Sequence, residues 1–396
     1  MSSVVSTLKN LIFDPISFFA FKTIFSPTTL AFSAIFEALA ILLFVFKTTF
    51  FKILPALTGN IDVISKNGSI LTNSSKNVIS AENIKLISEK GDIGSQTKNI
   101  QTAIYNKGLL SGKGNNIYIN YPYSDISNIN IEAKDNAYLA TSGEKLGGLD
   151  SIVNIKANSL ELKAENGTIN LDATQNTNIN IDVNKVKARA KDDISIINKG
   201  DLKISSITSE NQGTITLGSE IGSIVATDTE TINPYHINGG NVILNAVNGS
   251  VGTSSNVIKI AKDGIFKVYA KDDVNLSSVG RIYVDSILSN NGKVTLNADY
   301  GIIASKNTDN LAYNIASLNG IDLNSKHGNI ENIGINTNGV INASAGYDNN
   351  VASGMSDISI SLISKQELSQ DILDLLTTDE QKQQVWNEYN NRYGKY

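Results

Sequence analysis

Ala190-Lys191-Asp192-Asp193-Ile194-Ser195-Ile196 returns, at an offset of 80, as Ala270-Lys271-Asp272-Asp273-Val274-Asn275-Leu276. The match continues beyond this stretch. Asp201-Leu202-Lys203-Ile204-Ser205-Ser206-Ile207 aligns with Arg281-Ile282-Tyr283-Val284-Asp285-Ser286-Ile287 at the same offset, and Gly213-Thr214-Ile215-Thr216-Leu217 aligns with Gly292-Lys293-Val294-Thr295-Leu296 at 79. Residues 190–217 and 270–296 are therefore two copies of one unit. A second match, at an offset of 158, pairs Asn83-Ile84-Lys85-Leu86 and Gly91-Asp92-Ile93-Gly94 with Asn241-Val242-Ile243-Leu244 and Gly249-Ser250-Val251-Gly252. A fixed internal period is the signature of a stacked array, in which each unit buries its apolar face against the next.

The local text within the array is short and alternating. Ile117-Tyr118-Ile119-Asn120, Leu160-Glu161-Leu162-Lys163, Ile169-Asn170-Leu171-Asp172 and Ile321-Asp322-Leu323-Asn324 are typical. Apolar residues at period two mean half-buried strands, and Gly, Asn, Asp or Ser bounds each run. From residue 59 to 362 no helical pattern of useful length separates the runs, which excludes a βαβ sheet. An antiparallel sandwich or barrel and a parallel β-helix both fit the alternation. Spacing favours the β-helix. Gly-polar-[Ile/Val] corners recur at Gly68, Gly91, Gly167, Gly213, Gly222, Gly249, Gly292 and Gly328, and the interval from Gly68 to Gly91 nearly equals that from Gly200 to Gly222. The repeat period divides into four coils of about 20 residues, and Asn-Gly pairs such as Asn67-Gly68 and Asn248-Gly249 suit corners because both residues accept positive φ. Stacked at about 4.8 Å, residues 59–362 predict an all-β rod, a parallel β-helix of about 15 coils, about 70 Å long. Asn residues at matched corners would form amide ladders. Asn120–Asp150 and Thr231–Gly240 read as loop excursions.

Both termini differ from the array. Residues 1–58 hold two apolar, aromatic-rich stretches, Leu11–Phe25 and Leu30–Phe51, separated by Ser26-Pro27-Thr28-Thr29. Leu30–Phe46 carries one charge, Glu37, and at about 1.5 Å per residue is marginal for a hydrocarbon core about 30 Å thick. Residues 1–58 are expected to be a membrane anchor, a long export signal, or a helical cap, with residues 11–52 as the part that would meet a membrane. Residues 363–396 read as short C-terminal helices, with Ser364-Lys365-Gln366-Glu367 as a capping box, covering the last coil.

Composition narrows the chemistry. The chain has no cysteine among its 396 residues, hence no disulfide and no thiolate ligand or nucleophile. A net charge of −5 without a basic block removes the driving term for nucleic acid. Charged residues are only 18%, and uncharged Asn, Ser and Thr replace them, as suits a surface of many turns. Asp192-Asp193 and Asp272-Asp273 are paired carboxylates, but each belongs to the repeating unit and reads as a polar turn. His236 and His327, far apart in the chain, are the only histidines. The 14 tyrosines look scattered. No catalytic, cofactor-binding or metal-binding residues are assigned, and the chain reads as non-enzymatic.

The runs Asn198-Lys199-Gly200-Asp201-Leu202, Gly222-Ser223-Ile224, Asn241-Val242-Ile243-Leu244-Asn245-Ala246 and Gly249-Ser250-Val251-Gly252-Thr253-Ser254-Ser255-Asn256 resemble the shaft of filamentous haemagglutinin-type and leukotoxin-like large bacterial exoproteins. The resemblance covers residues 59–362. It implies a right-handed parallel β-helix, export through an outer-membrane two-partner transporter, and attachment to host-cell or surface glycans or proteins. The family's Asn-Pro-Asn secretion motif is missing; Asn233-Pro234 is the one Asn-Pro. The expected function is a non-catalytic adhesin-like rod, secreted or on the bacterial cell surface. The alternatives are a polysaccharide-processing β-helix enzyme, which needs non-repeating carboxylates in one cleft, and a toxin-like effector inserting residues 1–58 into a membrane.

Overall fold

The computed structural model describes residues 59–362 apart from 75, 77, 124, 174–175, 228–233, 262, 306–312 and 347–357. The expected hydrophobic helical segment (1–58) and C-terminal helices (363–396) lie outside the described residues. Every described element is a strand, and no helix among the described residues is long and apolar enough to cross a membrane. The strands form an 18-stranded and an 11-stranded sheet. Neighbouring strands pair in parallel with the next turn of the same path. The described residues thus form a parallel β-solenoid of about 12 turns.

Parallel, in-register stacking places like above like. Ile84, Leu110, Ile129, Val153 and Ile179 follow one another up five successive coils, none more than 1% exposed. Alternation continues along the chain, and the inward Ile, Leu, Val and Ala side chains fuse into one core running through the stack. Each aliphatic side chain fully buried there stabilises by roughly 1.5–3 kcal/mol. The expected amide ladders are present on the outside: Asn83 Nδ2 donates to Asn60 Oδ1 at 2.9 Å, Asn136 to Asn116 at 2.7 Å and Asn184 to Asn158 at 3.0 Å.

The coils are longer and less even than the sequence period suggests. The turn that carries Ile258 to its register partner Leu276 is short, whereas the turn from Ile207 to Ile237 is more than half as long again. The repeated unit therefore spans about three and a half turns, not four. Ala190 ends strand Ile179–Ala190 of the larger sheet, whereas Ala270 ends strand Gly264–Ala270 of the smaller one. Both copies make the same strand–corner–strand, on opposite sides of the solenoid. The repeat encodes a corner, and a corner fits wherever two sheets meet. The longer-range match is a second such module. Gly94 and Gly252 have φ of 71° and 69°. Ser95 exchanges backbone hydrogen bonds with Lys98, and Thr253 exchanges them with Asn256, at 3.0–3.2 Å.

Most corner glycines serve close approach and not positive φ. Gly91, Gly213, Gly222, Gly249, Gly292 and Gly328 all lie outside the left-handed region. A Cβ on Gly91 or Gly222 would stand 2.7 Å from a backbone nitrogen of the coil beneath, that of Ser69 or Asp201. Asn120–Asp150, expected as an excursion, instead completes coils. Tyr121 is buried, and Asn128–Ala133, Asn136–Thr141 and Lys145–Gly147 are strands in register. Its inward positions include the small residues Ala133 and Ala137, which join the core without the bulky aliphatics that mark strands elsewhere in the sequence. Of Thr231–Gly240, Ile237–Asn238 forms a strand in register, and Thr231–Asn233 lie outside the described residues.

Candidate ligand groove

Corners hold the coils in register by a device visible in six places. Asp92, Asp125, Asp193, Asp201, Asp263 and Asp273 each accept, through Oδ1, a backbone N–H of the coil above. The donors are Asn116, Lys145, Thr214, Ser223, Arg281 and Lys293, at 2.7–3.1 Å. Within the repeated Asp-Asp, the second aspartate makes this bond, while Asp192 accepts from Asn211 Nδ2 at 2.8 Å. Asp192-Asp193 and Asp272-Asp273 occupy different corners and form no shared site.

A buried serine shortly before the corner glycine works with the aspartate. Ser219 Oγ accepts from Gly222 N at 2.9 Å and donates to the Gly200 carbonyl, one coil below, at 2.7 Å. Ser88 does the same between Gly91 and Gly68, and Ser289 between Gly292 and Asp272. Ser-x-x-Gly is legible in the sequence at all three corners. A search limited to Gly-polar-[Ile/Val] passes over it.

The two histidines are also separate. His236 is buried; its Nδ1 accepts from Lys259 N at 2.9 Å and its Nε2 donates to the Thr227 carbonyl at 2.9 Å. Burial, and then the Lys259 charge, hold its pKa below the ordinary imidazole value against the pull of the Thr227 bond. His327 lies over Tyr300, with ring centroids 6.2 Å apart. Among the described residues, no three of His, Asp and Glu gather in a metal-binding cluster.

The outer surface carries a groove of ligand size. Strands Ile152–Ala164 and Ile179–Ala190 run unbroken across a bend, joining two ladders into one sheet. Outside that bend lies a groove of about 750 Å³ spanning five coils. One wall is a register ladder, Ile87, Lys113, Glu132, Lys156 and Asp182. Lys113 bonds Glu132 at 2.9 Å and Lys156 lies 3.8 Å from Asp182. These side chains are more than half exposed, so each pair stabilises by at most about 1 kcal/mol. The bend itself presents Asn115, Asn158 and Asn184. Four carboxylates (Glu89, Glu132, Asp135, Asp182) face three ammonium groups (Lys113, Lys134, Lys156), leaving the groove almost neutral.

Sequence reading misses the groove because its wall is not periodic: the steps from Lys113 to Glu132, from Glu132 to Lys156 and from Lys156 to Asp182 all differ in length. Tyr118 and Tyr138, which look scattered in the sequence, are register partners one coil apart with ring centroids at 6.5 Å. Burial pushes both phenols above the ordinary tyrosine value. No family model, curated protein or solved structure matches the chain.

Proposed function

We propose that residues 59–362 are the shaft of an adhesin-like exoprotein of the filamentous haemagglutinin type: a rigid, non-catalytic rod that presents binding surface, secreted or on the bacterial cell surface. On this reading residues 11–52 tether the chain to a membrane, and a two-partner outer-membrane transporter exports it. The observation that supports it is the commitment of the corner carboxylates. Six aspartates spend an oxygen on a backbone N–H of the next coil, which gives these carboxylates a structural role in holding the rod in register. The groove carboxylates Glu132 and Asp182 each have a lysine partner.

The test is adhesion without turnover. The full chain, coupled to beads, is expected to retain them on epithelial cells or glycan-coated surfaces. Incubation with plant and bacterial polysaccharides should release no reducing ends above blank. Turnover abolished by Glu132→Gln or Asp182→Asn would replace this reading with the polysaccharide-processing one. Lysis of vesicles that depends on residues 1–58 would replace it with the toxin-like one.

A further inference from the structure

We infer that the groove along the bend of the larger sheet binds an extended, uncharged oligosaccharide lying parallel to the solenoid axis. The inference rests on reading the chain as a non-catalytic binding rod and names the ligand class of that rod. Three observations lead to it. The first is shape. Five coils at about 4.8 Å spacing give a channel with about 19 Å between its end rungs. It suits a linear polymer and is too long for a single small metabolite. The second is charge. Lysine and carboxylate alternate up one wall and pair with one another, so the groove offers many donors and acceptors but little net field. A polyanion or polycation would have to break those pairs against an opposing charge, whereas sugar hydroxyls can insert between them as both donor and acceptor. The third is the backbone. Along the groove the strand N–H and C=O groups pair from coil to coil, leaving no edge for an added peptide strand. Ile87 is the one large apolar side chain on the charged ladder, and the apolar lining beside it (Ala133, Ala157 and Val183) is no more than 9% exposed, so an amphipathic helix finds little apolar surface to rest on. Four successive polar rungs, one per coil from Lys113 to Asp182, at a spacing near the length of a pyranose ring, match repeated hydroxyls instead.

The probes are hexasaccharides and disaccharides of β-linked glucose, xylose and mannose, with heparin and polygalacturonate as charged comparators, titrated calorimetrically into the full chain. We expect at least one neutral hexasaccharide to bind about tenfold more tightly than its disaccharide, with affinity unchanged between low and high salt. Asn158→Trp or Asn184→Trp, each placing a large ring in the groove, should weaken binding at least about tenfold. Thr216→Trp, on the other sheet, should not. Circular dichroism identifies any variant that fails to fold, and the second groove variant then stands in for the first. The inference is overturned if every hexasaccharide fails to bind at millimolar concentration, if the groove variants bind as well as wild type, or if a charged comparator binds more tightly with a steep salt dependence. Adhesion of the full chain that survives both groove variants would overturn the groove's role and leave the rod reading standing. Cleavage of a bound hexasaccharide would do the reverse.

Discussion

Ser219→Ala tests whether the corner serines hold the solenoid together. Ser219 is 1% exposed, and its hydroxyl makes two bonds, from Gly222 N at 2.9 Å and to the Gly200 carbonyl at 2.7 Å. A net hydrogen bond contributes about 1 kcal/mol, and a fully buried group left without a partner costs about 1–3 kcal/mol. Gly200 and Gly222 are only half-buried, so water replaces part of what is lost. Gly200 also keeps a 3.3 Å bond from Asn198 Nδ2. Together these place the cost at about 1–2 kcal/mol. Amide exchange at Gly222 should quicken by about tenfold, because that N–H loses its acceptor and its corner opens more readily. Urea unfolding of the full chain should move to a lower midpoint with little change in slope.

The control is Ser195→Ala, at an outward position, which should fall within about 0.5 kcal/mol of wild type. The reverse change is also informative. Ala246 is the register partner of Ser219 one coil up, and there Gly249 N reaches only the Ala246 carbonyl, at 3.4 Å. Ala246→Ser should restore the missing bond and stabilise by up to about 1 kcal/mol, less any overpacking. The reasoning fails if Ser219→Ala costs no more than Ser195→Ala, or if exchange at Gly222 is unchanged.

Further tests follow from other corners. Gly222→Ala drives a Cβ to 2.7 Å from the Asp201 nitrogen and should cost at least about 2 kcal/mol by urea unfolding, whereas Gly200→Ala, with no neighbour nearer than Asn198 Nδ2 at 3.9 Å, should be tolerated. Asp193→Ala removes the acceptor of Thr214 N and should cost about 1–2 kcal/mol, whereas Asp192→Ala loses only a side-chain bond to Asn211 and should stay within about 0.5 kcal/mol, although the two residues are adjacent. His236, its pKa depressed in the fold mainly by burial, takes up its proton first in the unfolded chain. Its contribution is complete above the ordinary imidazole pKa of about 6.5 and is lost as pH falls below that value toward the folded one. Unfolding midpoints measured between about pH 7.5 and 5.5 should therefore drop in wild type and stay flatter in His236→Gln. Lys113→Ala breaks an exposed pair and should shift stability by less than about 0.5 kcal/mol at any salt concentration.

Strands and corners were legible in the sequence because they are local. The alternation of Ile169-Asn170-Leu171-Asp172 predicts its inward and outward faces without any partner, and the strand Thr168–Asp172 buries Ile169 and Leu171 as that pattern requires. The groove and the tyrosine pair were not legible because they depend on register. Which residue stands above Lys113 is set by the length of the intervening coil, and coils vary from the short path between Ile258 and Leu276 to the long one between Ile207 and Ile237. No sequence period could place Glu132 over Lys113, or Tyr138 over Tyr118, before the pairing was known.

The same contrast explains why the repeat looks like evidence for a domain-sized unit when it is something smaller. Ala-Lys-Asp-Asp followed by an inward aliphatic is a complete physical instruction. The alanine ends one strand in a confined position, the second aspartate fixes the next coil's N–H, and the glycine one coil later (Gly213 or Gly292) lets the chain pass close above. None of these steps refers to which sheet the strand belongs to, so the unit works equally after Ala190 on one sheet and after Ala270 on the other. A solenoid assembled from such corners can gain or lose half-turns without loss of core, because each added strand brings its own inward aliphatics and its own register bonds. Corners placed in this way account for the structural polar groups. They leave unexplained the self-neutralising ladder on the bend, which no corner requires, and for that reason the search for a ligand belongs at Lys113, Glu132, Lys156 and Asp182.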